Sequence, residues 1–264
     1  MAFEKIDGTL HHTRLEDESP SYIAKREELR LAEIDLTRQR ERVAELRRRL
    51  PEGPIVQNYV FEEGPASLED GDSPIQAVKL SDLFTAPDRS LVIYHFMYGK
   101  RQTNPCPMCT LLIDSLSGSA HHLAQNVDVA IVAAADPTAL RDHARARGWH
   151  NLRLLSCGSN TFKYDLLSED REGRQDSAMS VFTRTKDGAV RHFYTGHPWL
   201  DESMRERGLD LLSPVYHMLD YTPQGRGEWY ATLESGSRRR RGAASPPAAE
   251  PLTTGSRPWG SRTV

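Results

Sequence analysis

Between Pro20 and Leu50 apolar residues return every seven positions, at Tyr22, Leu29, Leu36, Val43 and Leu50, with Ala32 and Leu46 half a heptad away. Pro20 stands where a first turn begins, and Pro51, Gly53 and Pro54 stop the run, so the pattern predicts one long, highly charged helix over about 20–50. The heptad is imperfect, because Lys25 and Gln39 fall on its seam. So narrow a stripe fits two readings equally: a helix docked on its own domain, or one that pairs with a second copy of the chain.

Beyond Pro54 the rhythm turns to strands. Val56 to Phe61 is short, mixed and aromatic, Ile75 to Leu80 alternates, and Leu80 to Phe84 reads as a helical turn. Leu91-Val92-Ile93-Tyr94-His95-Phe96-Met97 is apolar on both faces, as in the middle of a covered sheet. A loop, a cysteine pair and a helix to about Gln125 follow, then a second buried strand over Val127 to Ala135. Pro137 to Arg147 predicts a helix closed by Gly148, and Leu152 to Ser156 a short strand. Val181 to Arg184 and Val190 to Tyr194 flank Lys186-Asp187-Gly188, a hairpin signal, and a last helix is expected over about 204–219.

Strand–helix–strand, then a hairpin, then a helix is the order of a thioredoxin fold, an α/β mixed sheet with helices on both faces. The expected organisation is a polar segment over 1–19, the heptad helix over 20–53, a thioredoxin-like domain over 54–234 and a tail over 235–264. That tail opens with Arg238 to Arg241 and continues in Ala, Ser, Pro and Gly, too poor in apolar residues to bury a core, so it is expected to be disordered.

Composition narrows the class. A net charge of −3 argues against nucleic acid as the main partner. The opening residues lack the basic start and apolar stretch of a signal peptide, and no run is long enough to span a membrane, so the expected address is the cytoplasm. Thiols there stay mostly reduced. With only three cysteines, two of them in one motif, a disulfide scaffold is excluded and the pair points to catalysis or metal binding.

That pair is Cys106-Pro107-Met108-Cys109, placed where a buried strand runs through a loop into a helix. A cysteine at a helix N-terminus faces unpaired N–H groups and the positive end of the helix dipole, which favour the reactive thiolate. Pro107 suits a first helical turn. Cys106 is therefore expected to attack a substrate disulfide or oxidant, and Cys109, one turn in, to resolve the mixed disulfide. The partners implied are a disulfide or peroxide substrate and a thiol electron donor, with no bound cofactor.

Four other readings compete. Zinc normally takes four ligands, whereas the sequence offers one cysteine pair, a lone Cys157, and His121 and His122 at adjacent positions expected on different helix faces. Haem attachment would need histidine where Thr110 stands. A thiol peroxidase is suggested by Thr103-Asn104-Pro105-Cys106, which matches the Thr-x-x-Cys core of peroxiredoxins, although Gly99 replaces the proline four residues before Thr103. A non-enzymatic interaction protein on the same scaffold is the remaining class. Cys157 reads as a buried structural thiol, with a resolving or regulatory thiol as its alternative, and His95 as a satisfied core histidine, with tuning of the dithiol as its alternative. Lys100 and Arg101 would favour a thiolate if they turned towards Cys106.

The strand Leu91 to Gly99 with the Cys106–Cys109 motif resembles the core of domain-of-unknown-function family 899, whose members are described as thioredoxin-like predicted dithiol–disulfide oxidoreductases. Arg47-Arg48-Arg49-Leu50-Pro51, Asn58-Tyr59-Val60-Phe61, Ser180-Val181-Phe182, Arg207-Gly208-Leu209-Asp210 and Leu219 to Arg226 agree in order, so the resemblance covers about 20–230. It implies a redox dithiol at Cys106 and Cys109. Where thioredoxin has a proline facing its dithiol, Ala178-Met179-Ser180 stands here, which brings Met179 to that region.

Overall fold

In a computed structural model, residues 17–201 and 207–234 are described. The expectations for most of the first polar segment and for the arginine-rich tail fall outside those residues. The chain divides into two compact units after Pro51.

The first unit holds helix α1, Pro20–Arg48. Ser19 caps it, its hydroxyl accepting the Tyr22 N–H at 3.1 Å, and Pro20 occupies the first turn. No residue of α1 is buried, and Tyr22, Leu29, Leu36 and Leu46 are each more than half exposed.

The second unit is built on one seven-stranded sheet. In chain order its elements are β1 (Val60–Glu63), β2 (Gln76–Lys79), β3 (Leu91–Phe96), α2 (Pro107–Leu123), β4 (Asp128–Ala133), α3 (Pro137–Arg147), β5 (Arg153–Ser156), α4 (Phe162–Asp165), β6 (Ala178–Arg184), β7 (Val190–Gly196) and α5 (Pro214–Asp220). The strands lie in the order β2-β1-β5-β4-β3-β6-β7. The central trio β5, β4 and β3 is parallel, and β6 and β7 add antiparallel on one side. The hairpin of β1 and β2 extends the other side.

Alternation along β3 builds two cores. Tyr94 and Phe96 face α2 and α3 with Ile131, Leu112, Ile113 and Leu140. Leu91 and Ile93 face the other way, with Val132, Leu155, Phe162, Phe182 and the turn at Leu80–Leu83. A strand covered on both faces shows no polar alternation, and the one strongly polar side chain of β3, His95, is buried with both ring nitrogens hydrogen-bonded. Helices on both faces of a mixed sheet, with βαβ followed by a hairpin and a helix, make this a thioredoxin-like α/β fold. Among the described residues no helix is long and apolar enough to cross a membrane.

Two glycines are required by the geometry. Gly148 ends α3 in the left-handed region at φ 73°, its N–H bonded to the Arg145 carbonyl at 3.1 Å. Gly99, at φ 95°, passes so close to the segment just after β4 that an added Cβ would lie 2.1 Å from the Ala135 nitrogen. That approach fixes the path of the loop that leads to the cysteines.

Three boundaries differ from the sequence expectation by three residues or more. The first strand was expected over Val56 to Phe61, but residues 54–56 run beside β7, with His192 N–H on the Pro54 carbonyl at 3.0 Å and Val56 N–H on the Val190 carbonyl at 2.9 Å. β1 therefore starts only at Val60. Of the last helix, expected over 204–219, residues 202–206 lie outside the described residues, and among the described ones the α-helix starts at Pro214. β6 begins at Ala178 rather than Val181, since pairing with β3 recruits Ala178, Met179 and Ser180 regardless of their weak strand propensity.

Candidate active site

Helix α2 begins directly on the first cysteine. Cys106 is its N-cap, in extended conformation, and its sulfur accepts the Cys109 N–H at 3.5 Å. Its own N–H is fixed on the Met97 carbonyl at 3.1 Å, so the end of β3 sets the position of the cap. Pro107 takes the first turn without forfeiting a donor. Cys106 keeps 8% of its surface exposed and Cys109 1%, with no disulfide between them.

The two sulfurs interact directly. The Cys109 thiol donates to the Cys106 sulfur, and burial together with that neighbour pushes the Cys109 thiol well above the ordinary cysteine range. Two donors act the other way. The Tyr94 hydroxyl donates to the Cys109 sulfur, and the backbone N–H of Met97 is directed at it. Tyr94 is itself 2% exposed and held far above the usual phenol range by burial and by both cysteines, and so stays a donor. The Ser177 hydroxyl supports its oxygen. Met179, register partner of Tyr94 across β3 and β6, packs into the same core as the cysteines, as its place in the sequence suggested. Between the cysteines, Met108 accepts from the Tyr216 hydroxyl at 3.4 Å, which ties α5 to the motif.

Tyr94 escaped the sequence reading, although strand alternation does place it on the α2 face with Phe96. Its effect is measurable. Tyr94→Phe removes one charge-assisted donor, so the Cys109 thiol is expected to rise further and its alkylation to slow about tenfold at neutral pH. Alkylation rate against pH in a Cys106→Ser, Cys157→Ser background reads this, and an unmoved midpoint would deny Tyr94 the role.

The other singled-out residues lie elsewhere. His95 points to the opposite face of β3, bonded to Ser168 at 2.6 Å and Ser180 at 2.9 Å and stacked on Phe162 at 5.0 Å, so it is a satisfied core histidine. Burial holds its protonation well below the usual histidine range. Cys157 is also on that face, 1% exposed, with its thiol pushed up to about 11 by burial. Lys100 bonds Glu169 at 2.6 Å and Arg101 the Glu172 carbonyl at 3.4 Å, so both turn to the loop after α4 rather than to Cys106. Thr103 is exposed in its loop. His121 and His122 were expected on different faces, but at the end of α2 their rings lie 3.9 Å apart. Among the described residues, no three His, Cys, Asp or Glu side chains gather as a metal site would require.

A family profile described as a bacterial protein of unknown function, DUF899, matches residues 12–241. No curated protein matches the chain. Among solved structures it is similar to AhpC of Enterococcus faecalis, at 12% identity and a TM-score of 0.43, covering 61% of this chain and 87% of that one. It is also similar to a peroxiredoxin-like protein from Aquifex aeolicus, at 18% identity and 0.39, covering 56% and 76%. Reduced Prx3 of Vibrio vulnificus, in complex with hydrogen peroxide, is a third, at 18% identity and 0.42, covering 62% and 99%.

Proposed function

We propose that this chain, which belongs to the bacterial family DUF899, is a thiol–disulfide oxidoreductase in which Cys106 attacks and Cys109 resolves. The observation that carries the reading is the capped geometry of α2. The Cys106 sulfur sits on the helix terminus with a helical N–H pointing at it, while Cys109 lies one turn deeper, beside it and more buried. In the reductive direction the Cys106 thiolate attacks a substrate disulfide, a mixed disulfide forms and the first thiolate leaves. Cys109 then attacks Cys106 Sγ, the mixed bond breaks, the second thiolate leaves, and two electrons have passed to the substrate. A thiol donor returns the pair to the reduced state. The reading sets the chain in the cytoplasm, where such donors keep thiols reduced.

Cys109→Ser tests it. The variant is expected to accumulate Cys106 carrying one glutathionyl group when exposed to glutathione disulfide, visible as a mass shift, whereas the wild type releases that group and ends as the internal disulfide. Absence of any adduct at Cys106 would sink the reading. Hydrogen peroxide consumption by Cys109→Ser far above that of a free thiol would move Cys106 to peroxidase chemistry instead.

The heptad of α1 supplies a separate expectation. Its stripe of Tyr22, Leu29 and Leu36 is exposed, and two such stripes complement each other in a coiled coil, so a second copy of the chain is the proposed partner. Light scattering is expected to give twice the 29.8 kDa chain mass, reverting to one on Leu36→Glu. A monomeric wild type would refute the pairing.

A further inference from the structure

Lys163, in α4, is a cation with 1% of its surface exposed. Burying an ammonium costs several kcal/mol unless its protons are well bonded. Here Nζ donates to the Phe96 carbonyl at 2.9 Å and to Gln175 Oε1 at 2.7 Å. The first of these partners matters most. The Phe96 carbonyl and the Met97 N–H belong to one peptide group, and that N–H is the one directed at the Cys109 sulfur. Met97 also supplies the carbonyl that fixes the Cys106 N–H. One peptide at the end of β3 therefore has a buried ammonium on its oxygen and the resolving sulfur on its hydrogen.

We propose that Lys163 is a positioning residue for the resolving step: by holding the Phe96 carbonyl it polarises the Phe96–Met97 peptide, and the strengthened Met97 N–H supports the Cys109 thiolate as it attacks. Hydrogen bonds in series strengthen one another in a low-dielectric interior, and this series ends on a sulfur that must carry charge. The inference rests on the dithiol reading above. The groups facing Lys163 are the Cys157 and Cys109 thiols, the Glu169 and Asp176 carboxyls, and His95. Burial lowers its pKa to about 8, with the two sulfurs and two carboxyls opposing the shift. At neutral pH it is thus mainly ammonium, able to donate and polarise but not to take a proton from Cys109.

Dithionitrobenzoate, a small aromatic disulfide, separates the two steps in the full-length Cys157→Ser protein. The Cys106 thiolate attacks it and releases one thionitrobenzoate anion. Cys109 then attacks Cys106 Sγ, the Cys106–Cys109 bond forms, the Cys106–probe bond breaks, and a second anion leaves. Two electrons reach the probe and the two thiol protons go to solvent. With Lys163→Met the first release is expected within about twofold of the parent, while the second slows about tenfold and its pH midpoint rises by about one unit. Gln175→Glu keeps the amine but sets a carboxylate against it, and is expected to slow the second release in the same sense. It decides the matter if Lys163→Met does not fold.

An unchanged second release in either folded variant would overturn the proposal. So would equal slowing of both releases with no shift in the pH midpoint, which is what a purely structural lysine would give. A parent protein that shows no second release at all would instead overturn the dithiol reading, and this inference with it.

Discussion

Cys106→Ser is expected to bring exchange with a disulfide probe down to the rate of buffer alone, the largest loss of activity that any one substitution in this chain should cause. No other thiol stands ready to replace it. Cys109 is 1% exposed, and burial and its neighbour keep it protonated. Cys157 lies on the far side of the sheet, and with a pKa of about 11 only about one molecule in ten thousand carries that thiolate at pH 7. Serine keeps the N-cap oxygen-for-sulfur, so α2 should persist and circular dichroism should not change. Stopped-flow release from a chromogenic disulfide measures the effect. Residual turnover above a few per cent of wild type would mean that another group performs the attack.

Phe162→Ala carries the largest expected loss of stability. Phe162 is fully buried and sits at the centre of an aromatic group, with ring centroids 5.2 Å from Tyr59, 5.1 Å from Phe61, 5.0 Å from His95 and 6.2 Å from Phe182. These neighbours come from the β1 region, β3 and β6, so they cannot close around the void together. Removing a buried phenyl of this kind costs about 3–5 kcal/mol, against a total of about 5–15 kcal/mol for a folded domain. The midpoint of urea unfolding reads it. A loss below about 1 kcal/mol would mean that the cavity collapses and that this core is far more plastic than its contacts indicate.

What the sequence disclosed and what it withheld divide along physical lines. β3 was legible because a strand covered on both faces is apolar on both, and α3 because Asp136, Pro137 and Gly148 mark its ends chemically. The cysteine pair was legible because its spacing and its strand-to-helix setting depend only on local sequence. The parts that failed depend on distant partners. The three residues at the start of β6 become strand only by pairing with β3, and residues 54–56 are drawn to β7 by two backbone bonds. The four-residue helix α4 has too few turns to show a period.

The same division holds within the site. Tyr94 could have been found from alternation once α2 was assigned to one face of β3. Lys163 could not, since nothing about a lysine beside a phenylalanine announces that its amine will be buried on the carbonyl of Phe96, far away in sequence. His121 and His122 show the opposite error. Adjacent positions on an ideal helix diverge, but in the last turn of α2 the rings come to 3.9 Å.

The central claim is that Cys106 and Cys109 form a working redox couple, and equilibrium oxidation tests it most directly. Wild type and Cys157→Ser are brought to equilibrium across a graded series of reduced and oxidised glutathione, and free thiols are labelled and counted by mass. A single reversible two-electron transition is expected, with a slope of about 30 mV per tenfold change in the couple, and it should be identical in both proteins. If no disulfide joins Cys106 to Cys109 at any ratio, or if the transition disappears with Cys157, the dithiol mechanism is wrong.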